Sequence, residues 1–141
     1  MKRRFLAAVV ALVGAAALAA AAVAAVAPGT YKGNVYAGAT KGAPATVVVA
    51  GTKVTIKVAK FPIKCQGPSG KFDMASDPMK YEFKGTLKGN SVSGTYVPPL
   101  GGTGEYFTAK LTYAAVTKSF SGKLAFLGKC QGSSTVKAKK A

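Results

Sequence analysis

The residues that could do chemistry are few in kind. Across 141 residues the chain carries 20 Lys and Arg against four Asp and Glu, a formal net charge of +16, with no histidine and no tryptophan. Every basic residue after Arg4 is lysine, and the only acids are Asp73, Asp77, Glu82 and Glu105. Such an excess attracts polyanions: nucleic acid, anionic lipid or acidic wall polymers. The same lysines also serve as a solvated surface that keeps a protein soluble. Lysine offers a point charge where arginine grips phosphate with two parallel hydrogen bonds. No specific nucleic-acid partner is therefore indicated, and the expected partner is an anionic cell-envelope polymer or membrane surface.

Catalysis is argued against by composition. Without histidine there is no Ser-His or Cys-His nucleophile pair. Asp73 and Asp77 lie in one stretch beside Gly, Ser and Pro, where aspartate commonly forms turns. A glycosidase needs two positioned carboxylates, and four acids allow few pairs. Serine and lysine are abundant, but no motif marks a Ser-Lys dyad, and no glycine-rich phosphate loop opens a helix. The two cysteines, Cys65 and Cys130, have no histidine or further thiol with which to hold a metal. A non-enzyme with no cofactor and no metal is expected. For the cysteines a disulfide is expected, which would stabilise the domain by roughly 4 kcal/mol in the chain-entropy model.

That expectation depends on compartment. Lys2-Arg3-Arg4 is a positive start, Phe5 to Val26 is an uncharged, alanine-rich apolar run, and Ala22-Val23-Ala24 and Ala25-Val26-Ala27 end it in small residues. This is the pattern of a secretory signal. Residues 1–27 are read as a cleaved signal helix and 28–141 as one domain, secreted into an oxidising compartment. Pro28 is an awkward first mature residue, so a cut a few residues earlier fits as well. Retention as an uncleaved anchor is the lesser alternative, because alanine is weakly hydrophobic and Gly14 interrupts the run.

The elements that must carry these groups are strands. Past the signal, apolar residues alternate with polar ones and are punctuated by Gly, Pro, Asn and Ser. Tyr31, Gly33 and Val35 share a face; 44–50 is a nearly continuous apolar strand closed by Gly51-Thr52; Val54, Ile56 and Val58 alternate with Lys53, Thr55 and Lys57. The phase then slips to Phe61, Ile63 and Cys65, which predicts a β-bulge near Ala59-Lys60. On that reading Lys53, Lys57, Lys60 and Lys64 make one exposed row, and Pro62 puts this strand, or its second half, at a sheet edge. Lysines there would also block edge-to-edge aggregation, a structural explanation that competes with anion binding.

Residues 66–78 read as a loop with a short strand at 71–74. Met79, Tyr81, Phe83, Gly85 and Leu87 face inward, Lys88-Gly89-Asn90 turns, and Val92, Gly94 and Tyr96 return. After the Pro98–Gly104 loop come Phe107, Ala109, Leu111 and Tyr113, then Phe120, Gly122, Leu124 and Phe126, then Val136 and Ala138 before Lys139-Lys140. The fold expected is all-β, a small antiparallel β-barrel or β-sandwich of about seven to nine short strands. Inward Gly33, Gly85, Gly94 and Gly122 favour a tightly coiled barrel.

An opening Gly29-Thr30-Tyr31-Lys32-Gly33, a cysteine after the second long strand, and Cys130-Gln131-Gly132 before an alternating strand carry a resemblance. The chain resembles a loose group of small secreted β-domains common in high-GC bacteria, chiefly actinobacteria. That resemblance implies an all-β fold with a disulfide and no established activity. Lys64-Cys65-Gln66-Gly67-Pro68-Ser69 also echoes Lys129-Cys130-Gln131-Gly132-Ser133-Ser134, as two similar strand-to-turn corners would. The leading expectation is a non-catalytic envelope or extracellular module with affinity for anionic surfaces. One alternative is a lipocalin-like carrier with an apolar ligand lined by Tyr31, Tyr81, Phe83, Tyr96, Phe107, Tyr113, Phe120 and Phe126; these rings serve equally as core. A secreted inhibitor using the Pro98–Gly104 loop is the third.

Overall fold

A computed structural model describes residues 25–60, 64–66, 69, 72–74, 80–98, 107–126 and 130–141; for 64–66, 72–74, 130 and 131 it describes the backbone alone. The strands are β1 (Gly29–Ala37), β2 (Thr40–Ala50), β3 (Lys53–Val58), β4 (Lys64–Gln66), β5 (Phe72–Met74), β6 (Tyr81–Lys88), β7 (Ser91–Tyr96), β8 (Phe107–Ala114), β9 (Ser119–Phe126) and β10 (Cys130–Lys140). Eight of them follow the order β1-β2-β3-β6-β7-β8-β9-β10, and β1 pairs with β10, so the sheet closes into an antiparallel barrel. The remaining two, β4 and β5, pair with each other, and β4 pairs with the start of β10. The fold is all-β, a barrel and not a sandwich. The expected signal helix lies outside the described residues.

Local chemistry explains the hairpins. Gly38, Gly51 and Gly89 each have φ near +60°, whereas the residue after each does not have positive φ. Glycine in the left-handed region at the first turn position alone makes the type II′ turn, whose twist matches that of the strands it joins. Their ladders close at Ala37↔Thr40, Ala50↔Lys53 and Lys88↔Ser91.

Closure depends on close approach at the inward glycines. A Cβ on Gly33 would collide with the Lys137 carbonyl and come within 2.6 Å of Ala138 Cα, and one on Gly85 would come within 2.6 Å of the Ser93 carbonyl. The backbones of neighbouring strands approach so closely there that only a residue without a side chain fits. Gly85 stands opposite Gly94, and Gly33 opposite Ala138.

Two expectations are corrected. No bulge joins β3 to the residues beyond it: β3 stops at Val58, and the Ala59 amide donates to the Pro44 carbonyl (3.1 Å) as the chain leaves the barrel. The phase slip in the sequence marks a strand end; the irregular register lies in the β1–β2 ladder, between Asn34 and Tyr36. Nor is β3 an edge, because it is bonded to β2 on one side and β6 on the other. Pro62 lies outside the described residues.

The interior is filled by the barrel's own side chains. Tyr31, Val47, Ile56, Phe83, Phe120, Leu124 and Val136 have no solvent exposure. The aromatic rings gather toward the two ends. Tyr31 stacks edge-on against Phe120 at 4.9 Å and Tyr113 at 6.0 Å, near the end that carries the Gly51 and Gly89 turns. Phe107, Phe126, Tyr81, Phe83 and Tyr96 form the other group, with Phe107–Phe126 at 4.4 Å, Tyr96–Phe107 at 5.3 Å and Tyr81–Phe126 at 5.4 Å. Aromatic pairs at such edge-to-face distances contribute about 0.5–1.5 kcal/mol beyond their burial.

Candidate anion-binding surface

Alternation sends every second residue of a barrel strand outward. On β1 these are Lys32, Asn34 and Tyr36; on β10, Thr135, Lys137 and Lys139; on β9, Ser119, Ser121 and Lys123; on β8, Thr108, Lys110 and Thr112. Register then sets them against each other. Lys32 stands directly opposite Lys139, which stands opposite Ser119; Asn34 faces Lys137, which faces Ser121; and Lys110 faces Lys123. All five lysines are exposed. None of these four strands contains an Asp or Glu.

Like charges directly opposed on one face destabilise a ladder. Two such pairs, Lys32–Lys139 and Lys110–Lys123, therefore sit on a continuous face with no carboxylate in its strands to offset them. Where β1 and β10 approach closely at Gly33, the face holds an open groove of about 370 Å³ lined by Lys32, Asn34, Tyr36, Lys137 and Lys139. The Lys137 ammonium lies 5.1 Å from the centre of the Tyr36 ring, a cation–π contact that holds the side chain over the groove. The other groups lining the groove include the hydroxyls of Ser119 and Ser121. Such a set presents cations and hydrogen-bond donors, suited to sulfate, phosphate or carboxylate groups repeated along a polymer.

The row expected from sequence is divided. Lys53 and Lys57 are exposed on β3, Lys60 is exposed beyond its end, and Lys64 belongs to β4, which pairs with β10. Lys53 and Lys57 share β3, Lys64 lies on β4 and Lys60 on neither strand, because β3 ends at Val58. Lys57 is also partly neutralised: its Nζ is 3.9 Å from Glu82 Oε2, across the β3–β6 ladder. That pair is solvent-exposed and contributes little stability. Glu82 is the only acid whose side chain is described; Asp73 lies on β5, and Asp77 and Glu105 lie outside the described residues.

The eight aromatics proposed to line an interior do face it, and all are buried except Phe107, which is half-buried against the same core. Register also brings the cysteines together: Cys65 and Cys130 are direct partners in the β4–β10 ladder. Directly opposed residues have Cα atoms about 4.5–5.5 Å apart, inside the span of about 4.4–6.8 Å that a disulfide bridges.

Sequence reasoning placed Val136 and Ala138 inward and Lys139-Lys140 at a basic end, but missed the surface that Lys32, Lys137 and Lys139 form. Only closure of β1 on β10 opposes residues from the two ends of the chain. Among the described residues no cluster of three or more His, Cys, Asp or Glu could hold a metal ion. Compared with known protein families, curated proteins and solved structures, the chain matches none.

Proposed function

We propose that this barrel is exported as a non-catalytic envelope or extracellular module that holds anionic polymers or surfaces on the β8–β9–β10–β1 face. The observation that carries the reading is the pair of opposed lysines, Lys32–Lys139 and Lys110–Lys123, on strands free of carboxylates. A bound polyanion would relieve both repulsions at once. Charge without arginine implies attachment to repeated anionic groups and not recognition of one molecule. The carrier alternative is disfavoured by an interior in which aromatic rings already touch each other at 4.4–6.2 Å.

The test uses vesicles containing anionic lipid, and dextran sulfate as a soluble polyanion, titrated across salt concentration. Binding should weaken steeply as salt rises, and a flat response would sink the proposal. Each lysine near an anionic surface contributes about 1 kcal/mol. Replacing Lys32, Lys137 and Lys139 together with glutamine should therefore weaken binding by roughly 100-fold. The same replacement of Lys53, Lys57 and Lys60 should weaken it less, because Glu82 already offsets Lys57. Equal losses from the two sets would show that net charge, and not this face, governs binding.

A further inference from the structure

Two consecutive Ala-Val-Ala triplets, 22–24 and 25–27, present small residues in the spacing that signal peptidase accepts. The fold distinguishes them. Val26 packs against the barrel core beside the turn end, and the Tyr31 hydroxyl donates a 2.7 Å hydrogen bond to the Ala27 carbonyl. Tyr31 is fully buried, so this bond supplies an acceptor where water has little access. The next residue is tied down as well: Lys140 Nζ donates to the Pro28 carbonyl at 3.2 Å. Ala25, by contrast, is exposed.

We infer that the export signal is removed between Ala24 and Ala25, and that Ala25–Ala27 remain as a cap on the barrel. The inference rests on the export reading above. Hydrolysis breaks the Ala24–Ala25 amide; water supplies hydroxide to the Ala24 carboxylate and a proton to the new Ala25 amine. That amine, charged near neutral pH, then sits in solvent. A cut after Ala27 would remove Val26 from the core and the acceptor from Tyr31. It would also create a cationic amine on Pro28, whose own carbonyl already holds the Lys140 ammonium. Each consequence raises the free energy of the folded product, and all three are absent for a cut after Ala24.

The full chain, expressed in a secreting bacterial host, tests this by intact mass of the exported protein. A chain beginning at Ala25 is expected. One beginning at Pro28 overturns the inference while leaving export intact, and one found only in cells and still beginning at Met1 overturns both. A second measurement uses Val26→Ser in the full chain. If Val26 is retained, the exported product should melt lower by about 4–8 °C. An exported product identical in mass and melting to the unsubstituted one means the residue was discarded, and the inference fails.

Discussion

The two ends of the barrel are built differently. At the turn end, each connection is short and bonds to the strand beyond it. Leu87 N donates to Thr52 O (2.8 Å), Tyr113 N to Asn90 O (2.7 Å), Lys140 N to Lys118 O (3.1 Å) and Ala141 N to Thr30 O (3.0 Å). Backbone hydrogen bonds thus lace the rim from β2–β3 round to β1, with Val26 packed on the core and the Ala27 carbonyl accepting from the Tyr31 hydroxyl. The other end carries the Gly38–Ala39 turn and the longer connections in sequence, 59–80, which includes β4 and β5, and 97–106. Its side chains are held by a larger aromatic group centred on Phe126. What the contrast teaches is that short connections bonded to their neighbours finish one end, whereas the other adds a larger aromatic group and the β4–β10 pairing to its backbone bonds, Ala59 N to Pro44 O and Val97 N to Glu82 O.

The largest expected effect attacks that dependence. Phe126 contacts Phe107, Tyr81 and Phe83 at 4.4, 5.4 and 6.2 Å, so Phe126→Ala should destabilise the domain by about 3–5 kcal/mol in denaturant unfolding. A loss below about 1 kcal/mol would show that the loop end is not held by this group.

Next in size is the proposed Cys65–Cys130 bond. Its loss through Cys130→Ser should lower stability by about 2–4 kcal/mol, and reductant should lower the melting point of the parent protein but not of the variant. Two thiols labelled in unreduced protein from the culture medium would refute the bond.

At the turn end the effects are smaller and pH-dependent. Burial, followed by the neighbouring Tyr113 hydroxyl, pushes the Tyr31 phenol up from 10.0 to about 12. A raised pKa favours the protonated phenol in the folded state, so its contribution is full below about pH 10 and is lost as pH rises toward 12. In an absorbance titration one phenol should ionise well after the exposed ones. Tyr31→Phe should remove that late step and cost about 1 kcal/mol near neutral pH, through the lost bond to Ala27.

The smallest effect concerns Ser134, inward on β10 toward the loop end. Its hydroxyl is buried with no hydrogen-bond partner. Ser134→Ala should be neutral or stabilising by up to about 1 kcal/mol; a clear loss would mean the hydroxyl has a partner.

Much of this architecture was legible in the chain. Val54, Ile56 and Val58 declare their faces by alternation, Gly51 and Gly89 declare their turns, and the short strand expected at 71–74 is β5 (Phe72–Met74). Where the reading failed, the local signal was ambiguous. A one-residue slip in alternation after Val58 looks the same whether a strand bulges or ends, and only the partner strand distinguishes them. Likewise Cys130 and Gln131 have no alternation to mark them, yet they begin β10 because β4 lies beside them.

The sequence by itself determined which residues face inward, where the chain turns, and that its chemistry is cationic and lacks histidine. Those properties are local, written in composition and in a period of two. Only the tertiary structure decided that β1 meets β10, and hence that Lys32 opposes Lys139 and Cys65 opposes Cys130. The physical reason is that pairing between strands remote in the chain is set by the strand number, tilt and stagger needed to close a barrel. Close approach at Gly33, Gly85 and Gly122 makes that closure possible here.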